Sequence, residues 1–465
     1  MALRPTLAFD RRLVVFDDDP TGSQTVWGCP LLLRWDTASL RQALEHPSPL
    51  LFLITNSRAL GPDEARSRLE AISSVLAEVL AERQREGRPL RVQLISRGDS
   101  TLRGHCPLEL DVLQKRFGPF AATFVVPAFL QGGRTTEGGV HRLHGQPVHE
   151  TAFARDGLFG YRSSHLPSWL EERSGGRLRA DSVPVLGLEL LEAASAEPDG
   201  AGAAALDAWL TALPPGCVVA VDANRGEQLR AFVAALGRLP ERRWLFQSAA
   251  SLIEALADLG PQPLTPTGLA ALRRRGAGGE PLPGLVLVGS HVPLADQQLD
   301  RLLEQPSCDG VELPVDRLLG AAAAAGIEAM ADDLAAALVR SLDRGRTPVL
   351  YSSRGERLAG QGEARRTLGQ TLAGLMARLA GRLAPRLGYV ISKGGITSHT
   401  LLADGLDLAW VALQGQLSPG LSLVLVPDDP RLRAAGIAGL PVLTVPGNLG
   451  DGSTLTDSWR RLQQG

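Results

Sequence analysis

The stretch Leu90-Arg91-Val92-Gln93-Leu94-Ile95-Ser96-Arg97-Gly98-Asp99-Ser100-Thr101-Leu102-Arg103-Gly104-His105 decides how this chain is read. Its first part, Leu90 to Ile95, reads as a buried strand that runs straight into a polar loop. Cys106-Pro107-Leu108-Glu109-Leu110 then reads as the opening turn of a helix. In an open parallel sheet, ligands bind where strands end at their carboxyl edge. Two guanidinium groups, a carboxylate, three hydroxyls and two glycines suit a small oxygen-rich anion. Arginine offers a carboxylate a bidentate fork, and aspartate accepts a proton from a hydroxyl. Asp99 and Ser100 are also residue types that cap helices, so the loop alone leaves both roles open.

The same rhythm continues on either side. Leu13-Val14-Val15-Phe16 reads as a strand ending in Asp17-Asp18-Asp19-Pro20-Thr21-Gly22-Ser23. Three adjacent acids raise one another's pKa, so this loop needs solvent or a cation, although Asp, Pro and Gly also make ordinary turns. Leu50 to Thr55 reads as a strand ending in Asn56-Ser57-Arg58. A helix follows from about Asp63 to Glu86, with the stripe Leu69, Ile72, Leu76, Val79 and Leu80 and a stop at Gly87. Thr123 to Val126 leads into Pro127-Ala128-Phe129. From Leu130 to Tyr161 no periodicity is visible, and the segment is expected to be a site-covering loop. His141, His144 and His149 lie in it at spacings that fit no standard metal site, and the metal assignment stays unknown. Val183 to Leu188 and Cys217 to Val221 read as strands, the second ending in Asp222-Ala223-Asn224. Glu192 to Gly202 reads as a surface connection, and Phe246 to Ser251 as the start of a helix running to about Leu259.

A chain of 465 residues exceeds one ordinary core. The expected fold class is α/β, with two domains, each a largely parallel sheet flanked by helices. The expected boundaries are 1–260 and 285–465, joined by a linker, 261–284. That linker holds Pro261, Pro263, Pro266, Pro281 and Pro283, with Arg273-Arg274-Arg275 as a solvated helix end. The second half restarts with Leu285 to Val288, ending in Gly289-Ser290-His291, and a helix through Gln297, Leu299 and Leu302. Asp332 to Leu342 and Leu368 to Leu383 read as helices, and Val349-Leu350-Tyr351 as a strand ending in Ser352-Ser353-Arg354. Tyr389 to Ser392 ends in Lys393-Gly394-Gly395-Ile396-Thr397-Ser398. Leu423 to Val426 and Val442 to Val445 are late strands, the last ending in Pro446-Gly447-Asn448-Leu449-Gly450. Backbone N–H groups in such glycine loops bind phosphate well. None fits the GxxxxGK[ST] or GxGxxG pattern.

Hydrophobic content of 44% and charged content of 21% are those of a globular chain. A formal net charge of -2 lends no support to a nucleic-acid or anionic-membrane partner. Cys29, Cys106, Cys217 and Cys308 are scattered and form no CxxC pair, which argues against a zinc or disulfide framework. The opening Met1 to Arg12 is polar, and no run approaches ~20 apolar residues. A soluble, cytoplasmic protein is expected. Lys115 and Lys393 are its only lysines. Lys115 falls on a solvated helix face, and Lys393 opens a glycine loop. A phosphate-binding half beside an acid-and-arginine half suggests phosphoryl transfer from a nucleotide to a small acid, driven by positioning and charge. No GxSxG, HExxH, HRD or DFG element is present.

Together these motifs resemble the four-carbon acid sugar kinase family over nearly the full length. The family's aspartate-aspartate-x-threonine-glycine opening matches Asp18-Asp19-Pro20-Thr21-Gly22, and its next element is intact as Thr55-Asn56-Ser57-Arg58. Its aspartate-serine-threonine-leucine-arginine-glycine signature is Asp99 to Gly104. A further block matches Pro127-Ala128-Phe129 and Gly133-Arg134-Thr135-Thr136. In the second half, Gly289-Ser290, Gly394 to Ser398, Pro419-Gly420 and Gly447-Asn448-Leu449-Gly450 resemble its nucleotide loops. The resemblance implies ATP-dependent phosphorylation, with Mg2+, of a terminal hydroxyl on threonate, erythronate or a 3-oxo-tetronate. By the same resemblance, Asp18, Asp19, Arg58, Arg97, Asp99, Ser100, Thr101 and Arg103 would hold the acid. Arg58 and Arg103 would be its carboxylate forks, and Asp99 or Asp18 the base. Ser290, Lys393, Gly394, Gly395, Ile396, Thr397, Gly420, Gly447, Asn448 and Gly450 would hold ATP. A homo-oligomer is compatible with this reading.

Five departures stand out. Arg97 replaces a lysine, exchanging a point charge for a fork. Pro20 replaces a leucine and is expected to stiffen the acidic loop. His291 stands where a polar tail is usual, Ile396 replaces an acid, and Pro446 replaces a lysine whose charge Lys393 is expected to supply. Rival readings are a sugar-acid aldolase or dehydrogenase, and a non-catalytic sugar-acid and nucleotide sensor. The aldolase would need a Schiff-base lysine and the dehydrogenase a nicotinamide fingerprint.

Overall fold

Short apolar runs become strands, and the polar stretches after them become loops at one sheet edge. The computed structural model describes residues 11–19, 21–320, 324–354 and 363–465, and the chain divides into two units, Met1–Pro261 and Gln262–Gly465. Pro20, with the stiffening expected of it, and the polar opening up to residue 10 lie outside the described residues.

The first unit carries β1 (Arg12–Asp17), β2 (Cys29–Leu32), β3 (Leu50–Ile54), β4 (Val92–Arg97) and β5 (Ala122–Val126). These are followed by β6 (Arg134–Glu137), β7 (Val140–Leu143), β8 (Gln146–Pro147), β9 (Val185–Leu186), β10 (Cys217–Val221) and β11 (Trp244–Ser248). Its main sheet runs β2-β3-β1-β4-β11-β5-β10-β9, with every pair parallel. Register sets Phe16 beside Ser96 and Asp17 beside Arg97. Residues Leu13 to Ile54 of β1 and β3 are wholly buried on the core side, as expected of strands covered by helices on both faces. Helix Pro62–Arg85 presents Leu69, Ile72, Leu76 and Val79 to that core.

Several expectations are corrected. The irregular segment after Leu130 contains a small antiparallel sheet, β6-β7-β8, whose strands are too short and polar to show alternation. Glu192 to Gly202 is mostly helical: Leu188–Ala196 and Ala201–Thr211 bury Leu191, Ala194 and Leu206, as their alanine content favours. Phe246 to Ser248 end a strand, β11, because Trp244 and Phe246 fill the sheet core. The helix begins only at Ala250.

The second unit contains β12 (Gly284–Val288), β13 (Cys308–Leu313), β14 (Thr347–Ser352), β15 (Tyr389–Lys393), β16 (Trp410–Ser418), β17 (Leu421–Leu425) and β18 (Pro441–Val445). Their order is β13-β14-β12-β15-β18-β17-β16. The first five are parallel, and β17 and β16 add an antiparallel hairpin. Strands β13 and β16 alternate in burial and escape a search for apolar runs. The stretch read as linker folds into this unit: helix Pro266–Ala270 puts Leu269 into its core with Val286, Tyr389 and Leu443. Arg273 is buried and Arg274 half-buried. Arg273 donates to the carbonyls of Leu282 and Gln463, and Arg274 to those of Ala384 and Gly436, tying the segment down.

Candidate functional site

Three neighbouring strands, β3, β1 and β4, deliver the acidic and basic loops of the first unit to one edge. Arg58, after β3, donates Nε to Asp18 Oδ2 at 2.9 Å and Nη2 to Asp18 Oδ1 at 2.5 Å. Its Nη1 donates to Asp19 Oδ2 at 3.0 Å. This fork clamps the chain's own acids. Asn56, two residues earlier, takes a left-handed conformation that turns the loop back over β1. Arg97, at the end of β4, reaches Asp17 at 3.3 Å, Asp18 at 3.5 Å and Gln24 at 3.3 Å. The fork in place of lysine thus spans two carboxylates and an amide. Gly22 allows this contact, since a Cβ there would strike both Asp17 and Arg97.

The signature loop is folded upon itself. Asp99 accepts from Thr101 Oγ1 and from Arg103 Nε, the latter at 2.7 Å. The Arg103 guanidinium lies over Phe153, 5.0 Å from the ring centroid, and Nη1 is 3.6 Å from Asp156. Among the described residues its two Nη groups make no hydrogen bond. Positive φ at Leu102 and Gly104 closes the turn. The segment after Leu130 supports it from outside: His141 Nε2, on β7, pairs with the Ser100 carbonyl at 2.8 Å, and Tyr161, beyond the small sheet, donates to the Thr101 carbonyl at 2.6 Å. Burial pushes His141 down to about 4, so it is a neutral support. Among the described residues, no group of three or more His, Cys, Asp or Glu side chains is placed to hold a metal.

Burial and arginine divide the carboxylates. Burial lifts Asp17 to about 7 against the pull of Arg97. It also raises Asp18, with Arg58 opposing. At Asp19 the penalty of burial is outweighed by Arg58 and Thr21, and the carboxyl falls below its ordinary range. Asp99 also falls, since Arg103 and Arg58 outweigh its burial.

Glu109, which sequence reading treated only as part of a helix start, completes the floor. It accepts from Ser57 Oγ and Ser96 Oγ, each at 2.7 Å, and burial pushes it up to about 7. Ser96 also bonds Gln247 at 3.0 Å. A water-sized hole of about 20 Å3 is lined by Asp18, Asp99, Arg103, Glu109 and Gln247. The signal for Glu109 was an acid on an otherwise apolar helix face beside Leu110, Val112 and Leu113.

In the second unit, register aligns Val288 with Lys393 and Lys393 with Val445, so three glycine loops leave the sheet at one level. A Cβ on Gly289 would strike Thr397, and one on Gly447 would stand 2.6 Å from Ser290 Oγ. The structure thus joins Ser290, Gly394, Thr397 and Gly447. Gly420, at the β16–β17 turn, packs on Leu449, and Gly450 takes a positive φ. Ile396 is 40% exposed. Lys393 is buried, and its Nζ donates to the Pro446 carbonyl at 3.0 Å. Burial and the neighbouring Arg354 lower it to about 8. Through that bond it braces the third loop.

A family model described as a sugar-binding N-terminal domain matches residues 13–256, and one described as a nucleotide-binding C-terminal domain matches residues 285–455. The chain is 28% identical over 454 residues to the D-threonate kinase of Bordetella bronchiseptica, covering 94% of each. It is 31% identical over 151 residues to the D-erythronate kinase of Heliobacterium modesticaldum, 31% of this chain and 32% of that one. A solved protein of Haemophilus influenzae aligns with a TM-score of 0.59 at 16% identity, over 97% of this chain and 99% of its own, a likeness of fold. With both domain matches in order along one chain, this protein belongs to the four-carbon acid sugar kinase family.

Proposed function

We propose that this protein is an ATP-dependent kinase that phosphorylates a terminal hydroxyl of a four-carbon sugar acid of threonate, erythronate or 3-oxo-tetronate type. The observation that carries this reading is the convergence of Asp18, Arg58, Arg97, Asp99 and Arg103 at three adjacent strand ends. Arg103, whose Nη groups make no hydrogen bond among the described residues, is the fork for the acid's carboxylate, with Asp156 beside Nη1. Asp18 is the base, because burial raises its proton affinity while Arg103 and Arg58 hold that of Asp99 down. Asp99, Ser100 and Thr101 orient the acid's hydroxyls.

In the reaction, the acceptor oxygen bonds to the γ-phosphorus of ATP while its proton passes to Asp18. The bond from that phosphorus to the β-γ bridging oxygen breaks, and ADP leaves. Magnesium belongs to the nucleotide substrate, coordinated mainly by phosphates and water. The glycine loops of the second unit supply backbone N–H groups to the phosphates. A cytoplasmic setting accords with four free cysteines.

The inward turn of Lys393 favours a second reading, a sensor that binds both ligands without turnover. Coupled ADP release with ATP, magnesium and a panel of four-carbon sugar acids separates the two. Turnover of one acid establishes the kinase. Calorimetric binding of both ligands with no turnover across the panel selects the sensor.

A further inference from the structure

Arg354 follows β14, whose neighbour β12 carries the Gly289-Ser290 loop. In the sequence it marks only the end of a strand. Its Nη1 donates to the Ser290 carbonyl at 2.7 Å and lies 3.2 Å from Asp296. Its guanidinium sits 5.9 Å from the centroid of the Tyr351 ring. Nε and Nη2 are buried, yet among the described residues neither has a hydrogen-bond partner. Donors of a charged group buried without an acceptor are costly, and they mark a place where an anion belongs.

The surrounding loops lack that charge. Gly394 to Ser398 and Pro446 to Gly450 contain no cationic residue, and Lys393 is buried with its Nζ on the Pro446 carbonyl. Ser290, held by Arg354, is itself the residue on which Gly447 closes, and a Cβ at Gly394 would lie 3.5 Å from its backbone N. The guanidinium therefore borders the point where the three loops meet. Its planar fork matches phosphate oxygens better than a lysine would.

We propose that Arg354 is a phosphate-binding residue of the second unit, receiving the terminal phosphates of a nucleoside di- or triphosphate. This rests on the nucleotide reading given above, and it adds a residue that no family motif marked.

Calorimetry on the full chain, with magnesium and ATP, ADP or AMP, tests it in wild type, Arg354→Gln and Asp296→Asn. Binding of the sugar acid and thermal melting serve as controls of folding. Arg354→Gln is expected to weaken ATP at least about tenfold and AMP less than about twofold. Asp296→Asn, which frees the guanidinium from its acid, is expected to leave ATP binding unchanged or tighter. Equal losses for ATP and AMP would mean that Arg354 only braces Ser290, and ATP affinity kept within about twofold would mean that it touches no phosphate. Either result overturns the proposal while leaving the nucleotide reading intact. If Arg354→Gln fails to fold, weaker ATP binding by Asp296→Asn overturns it, and unchanged or tighter binding supports it. A wild type that binds sugar acid but none of the three nucleotides removes the nucleotide reading, and this proposal with it.

Discussion

Asp17, Asp18, Asp19 and Asp99 carry the same group within one loop cluster, and their arginine partners set them apart. Asp18 is buried and raised, while Asp99 is held low by Arg103 and Arg58. Asp18→Asn is expected to lower kcat at least about 100-fold at every pH, the size of a lost general base. Asp99→Asn should weaken turnover too, but with the acid limb of its kcat/KM profile at the wild-type pH. Loss of that limb in Asp99→Asn instead would make Asp99 the base. Glu109 gives a second residue-scale expectation. Its carboxyl is lifted from 4.5 to about 7, so the folded chain holds a proton that the unfolded chain releases. The stability this contributes is complete below the ordinary value and is lost as pH rises through about 7. Gln at this position can still bond both serines without titrating. Glu109→Gln should therefore flatten the fall in Tm between about pH 5 and about pH 8, and an unchanged slope would assign that fall to other groups such as Asp17.

At the scale of elements, loops matter by how closely they approach one another. Gly447 meets Ser290 where a Cβ would stand only 2.6 Å from the hydroxyl. Gly447→Ala displaces the Ser290 hydroxyl from the meeting point of the first and third glycine loops, and is expected to weaken ATP binding about tenfold with sugar-acid binding unchanged. Isothermal titration of both ligands checks this. The β6–β7 turn shows another such contact. Asp222 accepts from Gly138 N at 2.7 Å and Gly139 N at 2.8 Å, pinning the turn while His141 and Tyr161 of the same segment hold the signature loop. Asp222→Ala should speed amide exchange across Asp99 to Gly104 and raise KM for the acid several-fold. Unchanged exchange there would show that the small sheet does not support the loop. This element was invisible in the sequence because its strands are short and polar, and their outside partners, Ala223 and His165, lie far along the chain.

For the whole molecule, the proposed function gives the two units separate ligands. Hydrogen exchange on the full chain should show the sugar acid protecting amides within Met1–Pro261 and magnesium-ATP protecting amides within Gln262–Gly465. Protection by either ligand centred in the other unit would reverse the proposed division of roles. Much of this was legible beforehand. Strand, polar loop and helix follow one another over a few tens of residues, so Leu13 to Phe16, Leu50 to Ile54 and Leu285 to Val288 revealed parallel sheets from local pattern alone. The loops that end those strands were legible for the same reason. By itself, then, the sequence determined an α/β chain with acids and arginines in one half and glycine loops in the other. Only the tertiary structure decided which groups meet: Arg58 with Asp18 across 40 residues, Glu109 with Ser57 across 52, Arg354 with Ser290 across 64, and Lys393 turned inward. Strand order and burial set those pairings. Both arise from contacts between distant segments, and no local pattern in the chain encodes them.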